Sequence, residues 1–122
     1  MSARAGRARG VSWAAVRKLF LSLPGVTEGI SYRTPAFHVD RKLLARLRED
    51  GENLVVRIGL EERETLMAAD PETFHITDHY LGHPWVLVRL ARVHRGDLRR
   101  LAEQAWRGSA PKRRRAARER KA

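Results

Sequence analysis

The sequence predicts an α+β domain, an antiparallel sheet packed by helices on one face. Segments with apolar residues at helical spacing are separated by short runs in which apolar and polar residues alternate. Most connections between the short runs cannot hold a crossover helix, so antiparallel pairing is expected. An alternating sheet with one apolar face needs helices over that face. A length of 122 residues fits one domain.

The elements follow in chain order. Residues 1–10 lack bulky apolar side chains and read as a disordered basic arm. Ser12 is a helix N-cap, and Trp13, Val16, Leu19, Phe20 and Leu23 recur on one helical face until Pro24-Gly25 ends it. Residues 28–33 form a short strand with Ile30 and Tyr32 on one side, and Thr34-Pro35 is a break. Ala36–Val39 and Lys42–Arg48 form a hairpin joined at Asp40-Arg41. Simple alternation puts Leu43, Ala45 and Leu47 on one face of its second arm, and Lys42, Leu44, Arg46 and Arg48 on the other. After a turn at Asp50-Gly51, Asn53–Ile58 is the next strand, with Arg57 pointing away from Leu54, Val56 and Ile58.

Leu60–Ala69 is rich in helix formers, carries Glu61, Glu62 and Glu64 near its N-terminus where the helix dipole favours them, and closes at Pro71. Thr73–Thr77 is a further short strand, and His79–Pro84 is a loop by its glycine and proline. In Trp85–Ala91, Val86, Val88 and Leu90 share one face of a strand, and Trp85, Leu87 and Arg89 share the other. Gly96-Asp97 opens a last helix, striped by Leu98, Leu101, Ala102, Ala105 and Trp106 and ended by Gly108. Pro111 begins a tail read as disordered, which makes residues 11–107 the folded domain and 108–122 the tail.

The net charge is +11. Three arginines and no acid give residues 1–10 a charge of +3, and seven bases against Glu119 give residues 108–122 a charge of +6. That leaves +2 for residues 11–107, so the high isoelectric point belongs to the ends. Basic tails bind polyanions by releasing counterions from phosphates. A solubilising tail explains the same charge equally well. There is no cysteine, which excludes disulfides and thiolate metal sites and suits a reducing cytoplasm. No apolar run approaches the roughly 18 residues of a membrane helix, so no membrane is expected as a partner.

Lys42, Arg46, Arg48, Arg57 and Arg89 fall on one sheet face if the strands pair antiparallel, with Trp85 among them. Cations around a flat ring suit nucleic acid, where charge follows phosphates and the ring stacks a base. The solvated outer face of a one-sided sheet gives the same alternation. Arg33, at a strand end in Tyr32–Phe37, is free to meet a ligand or solvent. His75, His79 and His83 lie four apart beside Asp78, but Ile76, Thr77, Gly82 and Pro84 make a helix there unfavourable, so the spacing does not define a metal site. Neither a nucleophile elbow, a phosphate-binding glycine loop, a zinc-protease motif nor a paired carboxylate marks an active site. The reading is therefore not an enzyme, with no cofactor and no metal.

Leu23-Pro24-Gly25-Val26, Thr34-Pro35-Ala36-Phe37, the Lys42–Leu47 strand, Asp70–Phe74, His79–Val86 and Ala110–Arg113 together resemble the MmcQ/YjbR family across about residues 17–113. The resemblance implies a frataxin/CyaY-like antiparallel sheet packed by helices, and a DNA-binding role without catalytic residues. The basic arm and the arginines beyond Arg113 go past the family pattern. The expectation is a module binding duplex DNA with weak sequence specificity. Its contacts would be Arg33, Lys42, Arg46, Arg48, Arg57, Trp85 and Arg89, with Lys112, Arg113, Arg114 and Arg115 from the tail. The alternative is a protein-interaction or small-ligand module using the loops around Thr34, His79 and His83.

Overall fold

A computed structural model describes residues 9–121. Helix α1 (Trp13–Leu21) is followed by strands β1 (Val26–Ser31), β2 (Thr34–Val39), β3 (Lys42–Leu47) and β4 (Asn53–Arg57). Helix α2 (Leu60–Ala69), strands β5 (Phe74–His75) and β6 (Trp85–Arg89), and helices α3 (Arg95–Ser109) and α4 (Lys112–Lys121) complete the chain. All six strands pair antiparallel in the order β1-β2-β3-β4-β6-β5, as the α+β reading requires. None of the described helices is long and apolar enough to cross a membrane.

Local chemistry explains the boundaries. The Ser12 hydroxyl accepts the Ala15 N–H at 3.2 Å and caps α1. Gly25, at φ +76°, takes the left-handed conformation that turns the chain from α1 into β1. The β1–β2 and β2–β3 turns place Tyr32 and Arg33, then Asp40 and Arg41, at positive φ. Two consecutive left-handed residues match the twist of a tight hairpin.

Three expectations change here. Thr34-Pro35 is not a break. Pro35 lies in β2 opposite Ile30, beyond the residues that pair with β3, where its missing N–H removes little. The real turn is Tyr32-Arg33. Helix α3 starts at Arg95 rather than Gly96-Asp97 and runs past Gly108 to Ser109. The segment read as a disordered tail forms α4, held by Arg114 to Asp40 at 2.7 Å and by Arg118 to Glu103 at 2.8 Å. Its ties are ion pairs, which apolar periodicity does not register. Of the basic arm, residues 1–8 lie outside the described residues. Arg9 and Gly10 are tied to the carbonyls of Arg92 and Val93.

One sheet face carries the core. Val16 and Phe20 of α1 and Leu98, Leu101 and Trp106 of α3 pack against Phe37, Leu44, Leu54, Val56, Val86 and Val88. Phe20 and Phe37 stack with centroids 4.9 Å apart. Helix α2 packs beside β5 and β6. A bulge sets the faces of β3. Phe37 lies opposite Ala45 but His38 opposite Leu43, so Leu44 is an extra residue. Leu44 and Ala45 therefore both enter the core, and Leu43 turns to the other face with Arg46 and Arg48. The expected alternation holds from Ala45 onward and is reversed at Leu43 and Leu44.

Trp106 is fully buried and its indole N–H donates to the Pro24 carbonyl at 2.8 Å, closing α3 onto the end of α1. Trp106→Phe is expected to cost about 1–3 kcal/mol, because the carbonyl loses its partner inside the core. Urea denaturation should show a lower midpoint with an unchanged slope; an unchanged midpoint would contradict this role for the bond.

Candidate functional site

The face opposite the core is not flat. Val55 and Leu87 lie on it and are buried, although they are outside the main core. The segment 77–85 folds over this face through a single 3₁₀ turn, Asp78–Tyr80. Together with Tyr32 it walls a cleft of about 650 Å³ whose floor includes Leu43, Val55 and Trp85. Arg46, Arg48, Glu49, Thr77, His79, Tyr80 and His83 complete the lining.

Arg63 holds the wall in place. It projects from α2, is 4% exposed, and donates through one terminal nitrogen to the carbonyls of Tyr80, His83 and Trp85 at 3.1, 2.7 and 3.0 Å. Carbonyl dipoles, rather than a carboxylate, compensate this buried charge. In the sequence Arg63 stands among Glu61, Glu62 and Glu64 and does not stand out from them. The signal was its spacing: Leu66 and Met67, three and four residues on, are the α2 side chains that pack on the core, so Arg63 occupies their stripe.

The predicted cations divide into two groups. Arg46 is buried beneath the Tyr32 ring, its guanidinium 5.0 Å from the centroid. It donates to Glu49 at 3.0 Å and reaches Thr34 and the Tyr80 hydroxyl at 3.5 and 3.4 Å. Arg57 donates to the Leu43 carbonyl at 2.9 Å and stacks on Trp85 at 4.5 Å; burial pushes its pKa down. Arg89 donates to the Glu72 carbonyl and lies outside the cleft. Arg46 and Arg89 fasten the sheet to its own loops, and Arg57 ties β4 to β3 and β6. Arg48, half-buried and 3.9 Å from Asp50, lines the cleft with its charge loosely held.

Arg33 and Lys42 are exposed beside the two hairpin turns and do not line the cleft. Thr34 is buried and donates to the Ser31 carbonyl, a turn-stabilising role. His79 and His83 both line the cleft. In α4, Lys112 and Arg113 are exposed, whereas Arg114 is bound to Asp40 and Arg115 donates to the Arg107 carbonyl. Tyr32, Tyr80, Leu43 and Glu49 were not among the expected contact residues, since tight turns and bulges bring them together from separate segments.

Two charge effects border the cleft. The backbone N–H of Glu49, and then Arg46, hold the Glu49 carboxyl below its ordinary range. Burial, then Arg89 and Arg48, push the His75 imidazole below its ordinary value. The Asn53 amide nitrogen donates to Asp50, so its oxygen faces His75, and neutral His75 donates from Nε2 at 2.9 Å. Among the described residues no group of three or more His, Cys, Asp or Glu side chains is placed to hold a metal.

A YjbR family model matches residues 21–108. Uncharacterized proteins of Mycobacterium bovis and Mycobacterium tuberculosis are 34% identical over 87 residues, 68% of this chain and 67% of each relative. The crystal structure of Deinococcus radiodurans protein DR2400, a DUF419 domain, is similar with a TM-score of 0.64 at 23% identity, covering 75% of this chain and 72% of that one. That likeness concerns the fold.

Two outcomes are expected. Arg63→Met should cost about 2–4 kcal/mol, because three carbonyls lose a charged donor. Hydrogen exchange should show residues 78–85 losing protection before the rest of the sheet; uniform loss across the domain would count against a loop-holding role. The second concerns pH. Because His75 titrates lower in the fold than when unfolded, its neutral form contributes stability that is complete above about pH 6.5 and lost as pH falls through its folded value. Urea midpoints should decline from neutral pH toward pH ~5. His75→Gln should flatten that decline while leaving the carboxylate-linked loss below about pH 4. An equal decline in the variant would refute the assignment.

Proposed function

The chain belongs to the YjbR family, and on that premise we propose that it is a nucleic-acid-binding module whose cleft seats an unpaired base. The observation that carries this reading is the cleft itself, in which Tyr32, Tyr80 and Trp85 stand among Arg46 and Arg48 on a concave sheet face. Aromatic rings interleaved with guanidinium groups suit a flat base with phosphates on either side. A base paired inside a continuous duplex presents only its edge to such a wall, so the proposal moves from duplex to single-stranded or locally opened nucleic acid. Phosphates flanking the seated base would meet Arg48 in the cleft and the exposed Arg33, the residue after Tyr32 in its turn. Contacts of this kind position a strand and carry little sequence information. The absence of cysteine fits work in the reducing cytoplasm.

A second reading is favoured by one observation. Arg46 is engaged by Glu49, Thr34 and Tyr80, which leaves the cleft only weakly positive. A small planar molecule with one acidic group would suit that charge as well as a strand would.

Fluorescence anisotropy with labelled single strands and duplexes tests the proposal. The single strand should bind more tightly than the duplex at equal salt. Tyr32, 74% exposed at the cleft mouth, is the ring free to stack. Tyr32→Ala should weaken single-strand binding by about 1–3 kcal/mol, the usual worth of one base–aromatic stack. Equal affinity of the variant and the parent would sink the proposal. A free nucleotide that binds as tightly as the strand would favour the small-ligand reading.

A further inference from the structure

Helices α1 and α3 leave a shallow groove away from the cleft. Two adjoining depressions of about 200 and 220 Å³ share Leu19, Ser22 and Arg99. Ala15, Lys18 and Arg95 complete the first, and Glu103 and Arg118 border the second. Glu103 is the acid of this lining, and Arg118 neutralises it with two hydrogen bonds of 2.8 and 2.5 Å. With Glu103 and Arg118 paired, the positive charge of the groove comes from Lys18, Arg95 and Arg99, and Arg99 borders both depressions.

The state of these cations sets them apart. Lys18, Arg95 and Arg99 are exposed, and their side chains form no ion pair or hydrogen bond among the described residues. Neighbouring arginines elsewhere are engaged: Arg17 with Glu28 at 2.8 Å, Arg92 with Glu72 at 2.9 Å and Arg9 with Asp70 at 3.7 Å. Arg95 is also the first residue of α3, where the positive end of the helix dipole disfavours a cation. Its position opposes the stability of the helix, whereas an anion in the groove would meet Arg95 and that dipole together. Arg95, Arg99 and Glu103 are four residues apart, so they line one side of α3 in steps of about 6 Å.

We propose that the α1–α3 groove is a phosphate-binding site, separate from the cleft, that holds the sugar–phosphate backbone of a nucleic acid. Two joined depressions favour a repeating anion over a lone phosphate, which would fill only one. The site does not depend on base stacking in the cleft.

The test uses the full chain and short labelled single strands titrated across a salt series. Lys18→Gln with Arg99→Gln removes two of the proposed contacts, and Arg41→Gln removes an exposed charge at the β2–β3 hairpin end. For the groove pair, the slope of log affinity against log salt should lose about 1.4 in steepness, the value for two lost phosphate contacts on a single strand. The hairpin variant should barely change it, and Tyr32→Ala should weaken binding without changing it. Thermal unfolding should match the parent for the groove pair and the hairpin variant, since all three side chains are exposed. An equal change of slope per removed charge in the two would overturn the proposal, as would no strand binding by the parent. So would displacement of the strand by inorganic phosphate beyond the effect of chloride at matched ionic strength, which would indicate a free-anion site. Retained strand binding with lost binding to phosphatidylserine vesicles in the groove pair would overturn it in favour of a lipid surface.

Discussion

The open face of the sheet is a cleft because one buried guanidinium gathers three loop carbonyls. Arg63 reaches from α2 to Tyr80, His83 and Trp85 and fixes the path of the 77–85 segment. Without that link, the loop would rest on a 3₁₀ turn and a few backbone bonds. The desolvation cost of burying Arg63 is repaid only while all three acceptors converge on it. The loop path and the α2 position are therefore coupled. Two of the rings that line the cleft come from elements this link holds together, Tyr80 from the loop and Trp85 from β6, while Tyr32 comes from a hairpin turn and its ring lies over Arg46.

The arginines of this chain divide by what they touch. Arg46, Arg57, Arg63 and Arg89 donate to carbonyls or side chains of the domain itself, and two of them also lie against aromatic rings. They contribute shape. Lys18, Arg33, Arg95 and Arg99 are exposed, and Arg48 lines the cleft with its charge loosely held, so these five can meet an anion. In α4 both uses occur in one helix, where Arg114 and Arg118 anchor it to Asp40 and Glu103 while Lys112 and Arg113 face solvent. A high net charge by itself separates none of these roles.

Much of the fold was legible in the sequence. The Ser12 cap, the Asp40-Arg41 hairpin, the full extent of α2 and the two faces of β6 follow from capping, turn chemistry and period. The β3 bulge was not legible, because Leu43 and Leu44 are the same residue type and either can fill the core. The Tyr32-Arg33 turn was hidden because neither residue favours a left-handed conformation and the adjacent proline looked like the break. Helix α4 was hidden because ion pairs, not an apolar stripe, dock it. The cleft was half visible: the loops around Thr34 and His79–His83 stood out, while Arg63, which shapes the wall, was masked by three neighbouring glutamates.

The central claim is that the cleft, rather than the charged ends alone, receives the ligand. Backbone amide shifts of the isotopically labelled full chain, followed during titration with a short single strand, test it most directly. The account predicts shifts centred on residues 32, 43–49, 55 and 77–85, saturating with one binding curve. Shifts confined to α4 and the chain ends, with the cleft unmoved at saturation, would contradict it.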